Sequence, residues 1–161
     1  YTCKKNILIR CFYMFGFPTE TKAEAIKTLK FADALKNVTF PLVFFVRYYP
    51  GTKLYNVALK YGFTGEMLKN SISHLYHDAS GYGTPTLNTE FIKYIKDYFL
   101  YKIIFDKERI SHMLMVKNLI YPKDMVLRSI NATYNLDVKS IEEFHEYVKA
   151  ISRVNVYPLS H

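Results

Sequence analysis

A chain of 161 residues is long enough to bury a sizeable hydrophobic core. Half of its residues are hydrophobic and 17% are aromatic (15 Tyr, 12 Phe, no Trp), a composition that excludes a disordered or low-complexity segment. The formal charge of +8 raises the question of an anionic partner, and no apolar run approaches the ~18 residues of a membrane-spanning helix.

Cys3 and Cys11 match no common zinc or iron–sulfur spacing and read as buried thiols of a cytoplasmic protein. The Asn-x-Thr triplets at Asn37 and Asn131 follow no signal peptide and read as chance. Tyr1 to Asn6 lacks an initiator Met and runs straight into Ile7–Phe15, an almost unbroken apolar run that predicts a strand buried on both faces. Such a strand needs neighbours on both sides, and the remaining sequence offers few. The expectation is a C-terminal fragment of a longer protein.

Gly16 permits a sharp bend and Pro18 stops the ladder. Thr21-Lys-Ala-Glu24 fits a capping box and predicts a helix to about Lys36, with Ile26, Leu29, Ala32 and Leu35 on its apolar face. Glu20 suits the positive N-terminus of that helix. Pro41–Val46 predicts a second buried strand, Pro50-Gly51 a turn, and Leu54–Tyr61 a short helix closed by Gly62. Two strand–loop–helix units in succession indicate parallel strands, whose carboxyl ends are where α/β folds place their sites.

From Thr64 to Thr89 the chain is polar and turn-rich, with Ser80–Pro85 the clearest loop. His74-x-x-His77-Asp78 has a metal-like spacing but no defined third ligand, and His and Asp near a loop are more often simply solvated. Thr89 is the expected N-cap of a long helical region: Phe91, Ile95, Phe99 and Ile103 form a stripe widened by Ile92 and Tyr98, continued by Ile110, Leu114 and Leu119 and broken at Pro122. Helices over 123–133 and from Ser140, where Ser140-Ile-Glu-Glu143 repeats the capping-box pattern, complete the chain. Lys residues scattered over separate helices and aromatics at core spacing argue against a nucleic-acid groove.

Met-Phe-Gly-Phe-Pro-Thr-Glu-Thr at 14–21 resembles the φ-φ-G-φ-P-G-E-T segment of radical S-adenosylmethionine (SAM) enzymes, with Thr19 in place of a glycine. Tyr49-Pro-Gly-Thr-Lys-Leu-Tyr55 is similar to the Y-P-G-T-x-L-Y segment of their cobalamin-binding branch. The resemblance implies an α/β fold: the last units of a partial (β/α)6 TIM-like barrel over residues 1–65, then a mostly helical extension over 66–161. It implies SAM and a [4Fe–4S] cluster as cofactors, with cobalamin in the parent protein, and a small-molecule substrate. The cluster's Cys-x3-Cys-x2-Cys motif is absent from this sequence, so its ligands would lie in the missing part of the barrel, the expected partner. Met14, Gly16, Phe17, Pro18, Arg47 and Tyr49 are the residues the resemblance places against SAM or substrate. Alternation puts Arg10, Phe12, Met14 and Gly16 on one strand face, where Met14 could pack an adenine ring and Gly16 could offer backbone groups to its edge. Met14 and Phe12 also fit an ordinary core, and Arg47 with Tyr48 and Tyr49 a structural rim. The competing reading is a stand-alone α/β binding or scaffold module without redox chemistry.

Overall fold

The computed structural model describes residues 7–73 and 81–156. Strands β1 (Arg10–Phe15) and β2 (Phe40–Phe45) pair in parallel, in register from Arg10↔Phe40 to Phe15↔Phe45. Between them runs α1 (Lys22–Ala34), started by the predicted capping box: the Thr21 hydroxyl accepts from the Glu24 N–H at 3.3 Å, and the Glu24 carboxylate accepts from the Thr21 N–H at 2.8 Å. Ala25, Leu29 and Ala32 face the sheet and are buried.

β1 is not buried on both faces, as its apolar run predicts. Tyr13 and Phe15 enter the core, whereas Phe12 is 63% and Met14 49% exposed. Strand alternation sends these two pairs to opposite sides, and the helices packed on the sheet lie on the Tyr13–Phe15 side. On the other face Phe12 and Met14 are exposed beside the half-buried Phe44, while Phe40 and Leu42 at its amino end lie against later helical segments.

α2 (Lys53–Lys60) begins at Thr52, whose hydroxyl accepts from the Tyr55 N–H, and ends before Gly62 at φ +84°. The polar stretch after it is helical over α3 (Gly65–Ser73). Thr64 caps it, accepting from the Met67 N–H at 3.2 Å, and Leu68 and Ser71 are its only buried positions, too few to show as a stripe. Helix α4 (Thr89–Tyr98) starts one residue earlier than expected in capping terms: Asn88, not Thr89, accepts from the Phe91 N–H. Its last turn widens into a π-helical segment, Phe99–Ile104. Phe91, Ile95, Phe99 and Ile103 run down this composite helix and close the core against Tyr13, Phe15 and α1. That core therefore joins residues on both sides of the boundary expected at 65/66.

Asp106 ends the segment and caps α5 (Lys107–Ile120), a break the continuous apolar stripe did not signal. Ile110 and Leu114 are buried as expected; Leu119 is instead 65% exposed, and Met113 and Val116 fill the core. α6 (Lys123–Tyr134) and α7 (Ile141–Ser152) complete a second apolar cluster, the latter through Phe144 and Val148. At Ser140 the capping box is altered: Ser140 accepts from the Glu143 N–H, but the Glu143 carboxylate takes the N–H of Lys139 rather than that of the cap residue.

One side chain joins the two halves. Arg109 of α5 is fully buried and donates to four backbone carbonyls: Nε to Ile103 at 2.7 Å, Nη1 to Leu35 at 3.0 Å and Val38 at 2.7 Å, and Nη2 to Ala32 at 3.1 Å. Ala32 lies in the last turn of α1 and Val38 in the loop after it, whereas Leu35 also accepts from the Val38 N–H and Ile103 from the Asp106 N–H. Replacing Arg109 with Met should take this donor from the Ala32 and Val38 carbonyls and cost about 3 kcal/mol or more, a fall of ~6–12 °C in Tm for a domain of this size. Thermal unfolding followed by circular dichroism checks this; an unchanged Tm would show that the guanidinium holds nothing together.

Candidate functional site at the rim of the sheet

Because β1 and β2 are parallel, the bends at Gly16 and Pro50-Gly51 leave the sheet at the same edge. Gly16 sits at φ +90°, and a Cβ built on it would collide with the Tyr82 hydroxyl. Only glycine fits both constraints.

Both backbone polar groups of Gly16 are taken up within the chain. Its carbonyl accepts from the buried Tyr48 hydroxyl and, at 3.4 Å, from that of Tyr82. Its N–H donates to the Glu20 carboxylate at 2.5 Å. Tyr48 is fixed in turn by its own N–H donating to Ser71 Oγ at 3.1 Å and by its ring against Phe63. The Tyr82 ring packs on Phe45, and the Thr86 hydroxyl ties the same loop to the Glu20 carbonyl at 2.6 Å. One turn is thus held by groups from β2's exit, from α3 and from the loop before α4.

Burial pushes the Tyr48 and Tyr82 phenols far above their usual range, so both stay protonated donors at any physiological pH. Burial also raises the Glu20 carboxyl, against the N–H groups of Gly16 and Phe17 that favour its ionised form. Glu20 therefore closes the Gly16 turn, rather than only complementing the N-terminus of α1.

The sequence-expected residues separate into two sets. Met14, Phe17 (41% exposed) and Tyr49 (48% exposed) present surface at or near the rim, with Arg47 half-buried beside them. Gly16 and Pro18 are buried within the turn. The Gly16 backbone is not open to a ligand as expected. Tyr82 belongs to no motif in the sequence; the one signal for it is the Gly81-Tyr-Gly83 run, a bulky ring between residues suited to tight backbone.

Cys11 packs against the helix-covered core, and no group of three or more His, Cys, Asp or Glu able to hold a metal occurs among the described residues. The described residues therefore do not fit a thiolate-ligated cluster. His74, His77 and Asp78 lie outside the described residues. No described helix is long and apolar enough to cross a membrane. Comparison with protein-family models, curated proteins and solved structures gives no significant match.

Gly16→Ala should cost about 2–4 kcal/mol, from left-handed backbone strain plus the clash with Tyr82. In a Tyr82→Phe background the cost should shrink by ~1 kcal/mol, and a double-mutant cycle reads the difference; strict additivity would remove Tyr82 as the cause. The raised Glu20 carboxyl has a definite sign. The folded chain keeps this proton to higher pH than the unfolded one, so the favourable contribution is present at low pH and is lost as pH rises through 4.5 and past the folded value. Glu20→Gln cannot titrate, so relative to wild type it should be more stable at pH 7 than at pH 4 in urea unfolding. An identical difference at both pH values would contradict that sign.

Proposed function

We propose that this chain forms the closing units of a cytoplasmic radical SAM enzyme's barrel, with the open face of β1 and β2 as part of the SAM and substrate wall. The observation that carries the reading is that face. Phe12 and Met14 stand exposed beside Phe44, on the side of the parallel sheet that α1 and α4 leave bare, while the adjoining rim presents Phe17, Arg47 and Tyr49. In a β/α barrel the helices lie outside and the strand side chains opposite them point inward. A contiguous aromatic and thioether patch of this kind is otherwise costly to leave in water.

In this reading the chain's own residues bind and orient. Phe12, Met14 and Phe44 exclude water from a flat ligand, and Arg47 and Tyr49 supply polar contacts at the rim. Gly16 contributes by shaping the turn, since its N–H and C=O are engaged. The cluster and any cobalamin would be held by other parts of the full-length protein, and no step is assigned to them here.

The engaged backbone of Gly16 favours the second reading, a stand-alone α/β binding or scaffold module, because it removes the polar contact that an adenine edge would use. The parent open reading frame separates the two. The enzyme reading expects an upstream Cys-x3-Cys-x2-Cys segment, and reductive cleavage of SAM to 5′-deoxyadenosine by the anaerobically reconstituted full-length protein. In that protein Phe12→Asp or Met14→Asp should weaken SAM or substrate binding about tenfold, whereas in the present chain, where both side chains are exposed, Tm should stay nearly unchanged. A frame without the cysteines, or full activity in both variants, would end the enzyme reading.

A further inference from the structure

A cavity of about 180 Å³ lies between the amino-terminal half of β2, the π segment and the end of α6, away from the Gly16 rim. Its walls include Phe40 and Leu42 from β2, Leu100 and Ile104 from the π segment, Phe105, and Tyr134 from α6. None of the lining side chains is charged.

Of the three hydroxyls around it, two are already bonded within the chain and one, on Tyr134, is left to a guest. Thr39 Oγ accepts from the Ile9 N–H at 2.7 Å and donates to the Ile9 carbonyl at 2.9 Å, and Thr133 Oγ donates to the Ser129 carbonyl at 2.6 Å. The Tyr134 hydroxyl is buried beneath the surface, without a partner among the described residues. Water held in such a space needs two to four polar partners, and the side chains here present almost only carbon. Apolar cavities of ~150 Å³ take up benzene and stay otherwise dry.

The π segment forms one wall of the cavity. The π segment fits one extra residue into a turn, an arrangement that is rare and clusters at functional sites. Along it Phe99 and Ile103 face the sheet-side core while Leu100 and Ile104 line the cavity. The helix thus serves two apolar surfaces at once.

We propose that this cavity is a binding site for the uncharged aryl or branched-alkyl end of a small molecule, about six to eight heavy atoms in size. The site lies away from the rim and does not rest on the reading given above, although Leu42 belongs to the same sheet face as Phe12 and Met14.

Toluene is the probe, added to the protein carrying 13C-labelled Leu and Ile methyl groups. The expected result is a saturable shift of the Leu42, Leu100 and Ile104 methyls together, with Leu59, exposed on α2, unmoved; glycerol at equal concentration should shift none of them. Leu100→Phe should fill the space, weaken toluene binding about tenfold or more and raise Tm, as a filled void does. Should that variant not fold, Leu42→Ala provides the second arm: it enlarges the cavity and should shift preference from toluene towards naphthalene. Absence of a saturable shift, equal shifts from glycerol, or toluene binding unchanged in Leu100→Phe (or an unaltered toluene-to-naphthalene preference in Leu42→Ala) would overturn the proposal.

Discussion

The fold depends on where the carbonyls at the end of α1 find donors. That helix ends without a glycine in the left-handed conformation; its C-cap is Leu35 at φ −85°, ψ 64°. The usual local solution is therefore missing. Arg109, more than 70 residues away in sequence, replaces it by donating to Ala32, Leu35 and Val38 while its Nε takes Ile103 at the end of the π segment. Burying a guanidinium is costly, and desolvation does lower its pKa, but Arg remains charged in proteins and its planar fork matches several acceptors at once. Lys36 reinforces the seam by bridging Asp33 at 2.6 Å and Asp106 at 3.0 Å. These surface-proximal pairs add little individually. The guanidinium decides the geometry.

That geometry explains why so small a sheet persists. Two strands alone are marginal in water, and a parallel pair is usually covered on both faces. Here a single layer, α1 with α4 and the π segment, covers one face with a core of Tyr13, Phe15, Ile95, Phe99 and Ile103. Arg109 locks this layer to the helical cluster of α5, α6 and α7, and Phe40 extends that cluster onto the sheet. The uncovered face is thus held in shape by what lies behind it. Its apolar side chains stay exposed because the stabilisation comes from elsewhere.

Local signals were legible where chemistry and structure share the same few residues. The Thr21 capping box, the α1 stripe, both strands and the Gly62 stop all rest on short-range rules, and the structure carries each of them. The errors have one physical origin, which is that burial is a tertiary property. An unbroken apolar run cannot say whether one or two helical layers will cover it, so Phe12 and Met14 read as core. A stripe with period near 3.6 cannot show that its helix will widen at Phe99 and restart at Lys107. α3 was missed because its cap was present at Thr64 but its buried face was only two residues. Arg109 left no signal at all, since a buried arginine on a helix is written like a solvated one.

At the rim the same distinction separates motif from mechanism. Gly16 stood out by type and position, and it is required, but the requirement is steric and internal: the Tyr82 hydroxyl occupies the place of a Cβ, and Tyr48 and Glu20 take the carbonyl and the N–H. A glycine that admits a ligand and a glycine that admits a tyrosine look identical in sequence. What remains able to meet a ligand is the side-chain surface of Phe12, Met14, Phe17 and Tyr49, which recognises flat, apolar groups by shape and burial rather than by hydrogen-bond pattern. Specificity on such a wall must come from whatever faces it across the ligand. The rigid turn at Gly16 then has a clear purpose in either reading of the chain: it sets the height and angle at which that apolar wall meets the rim.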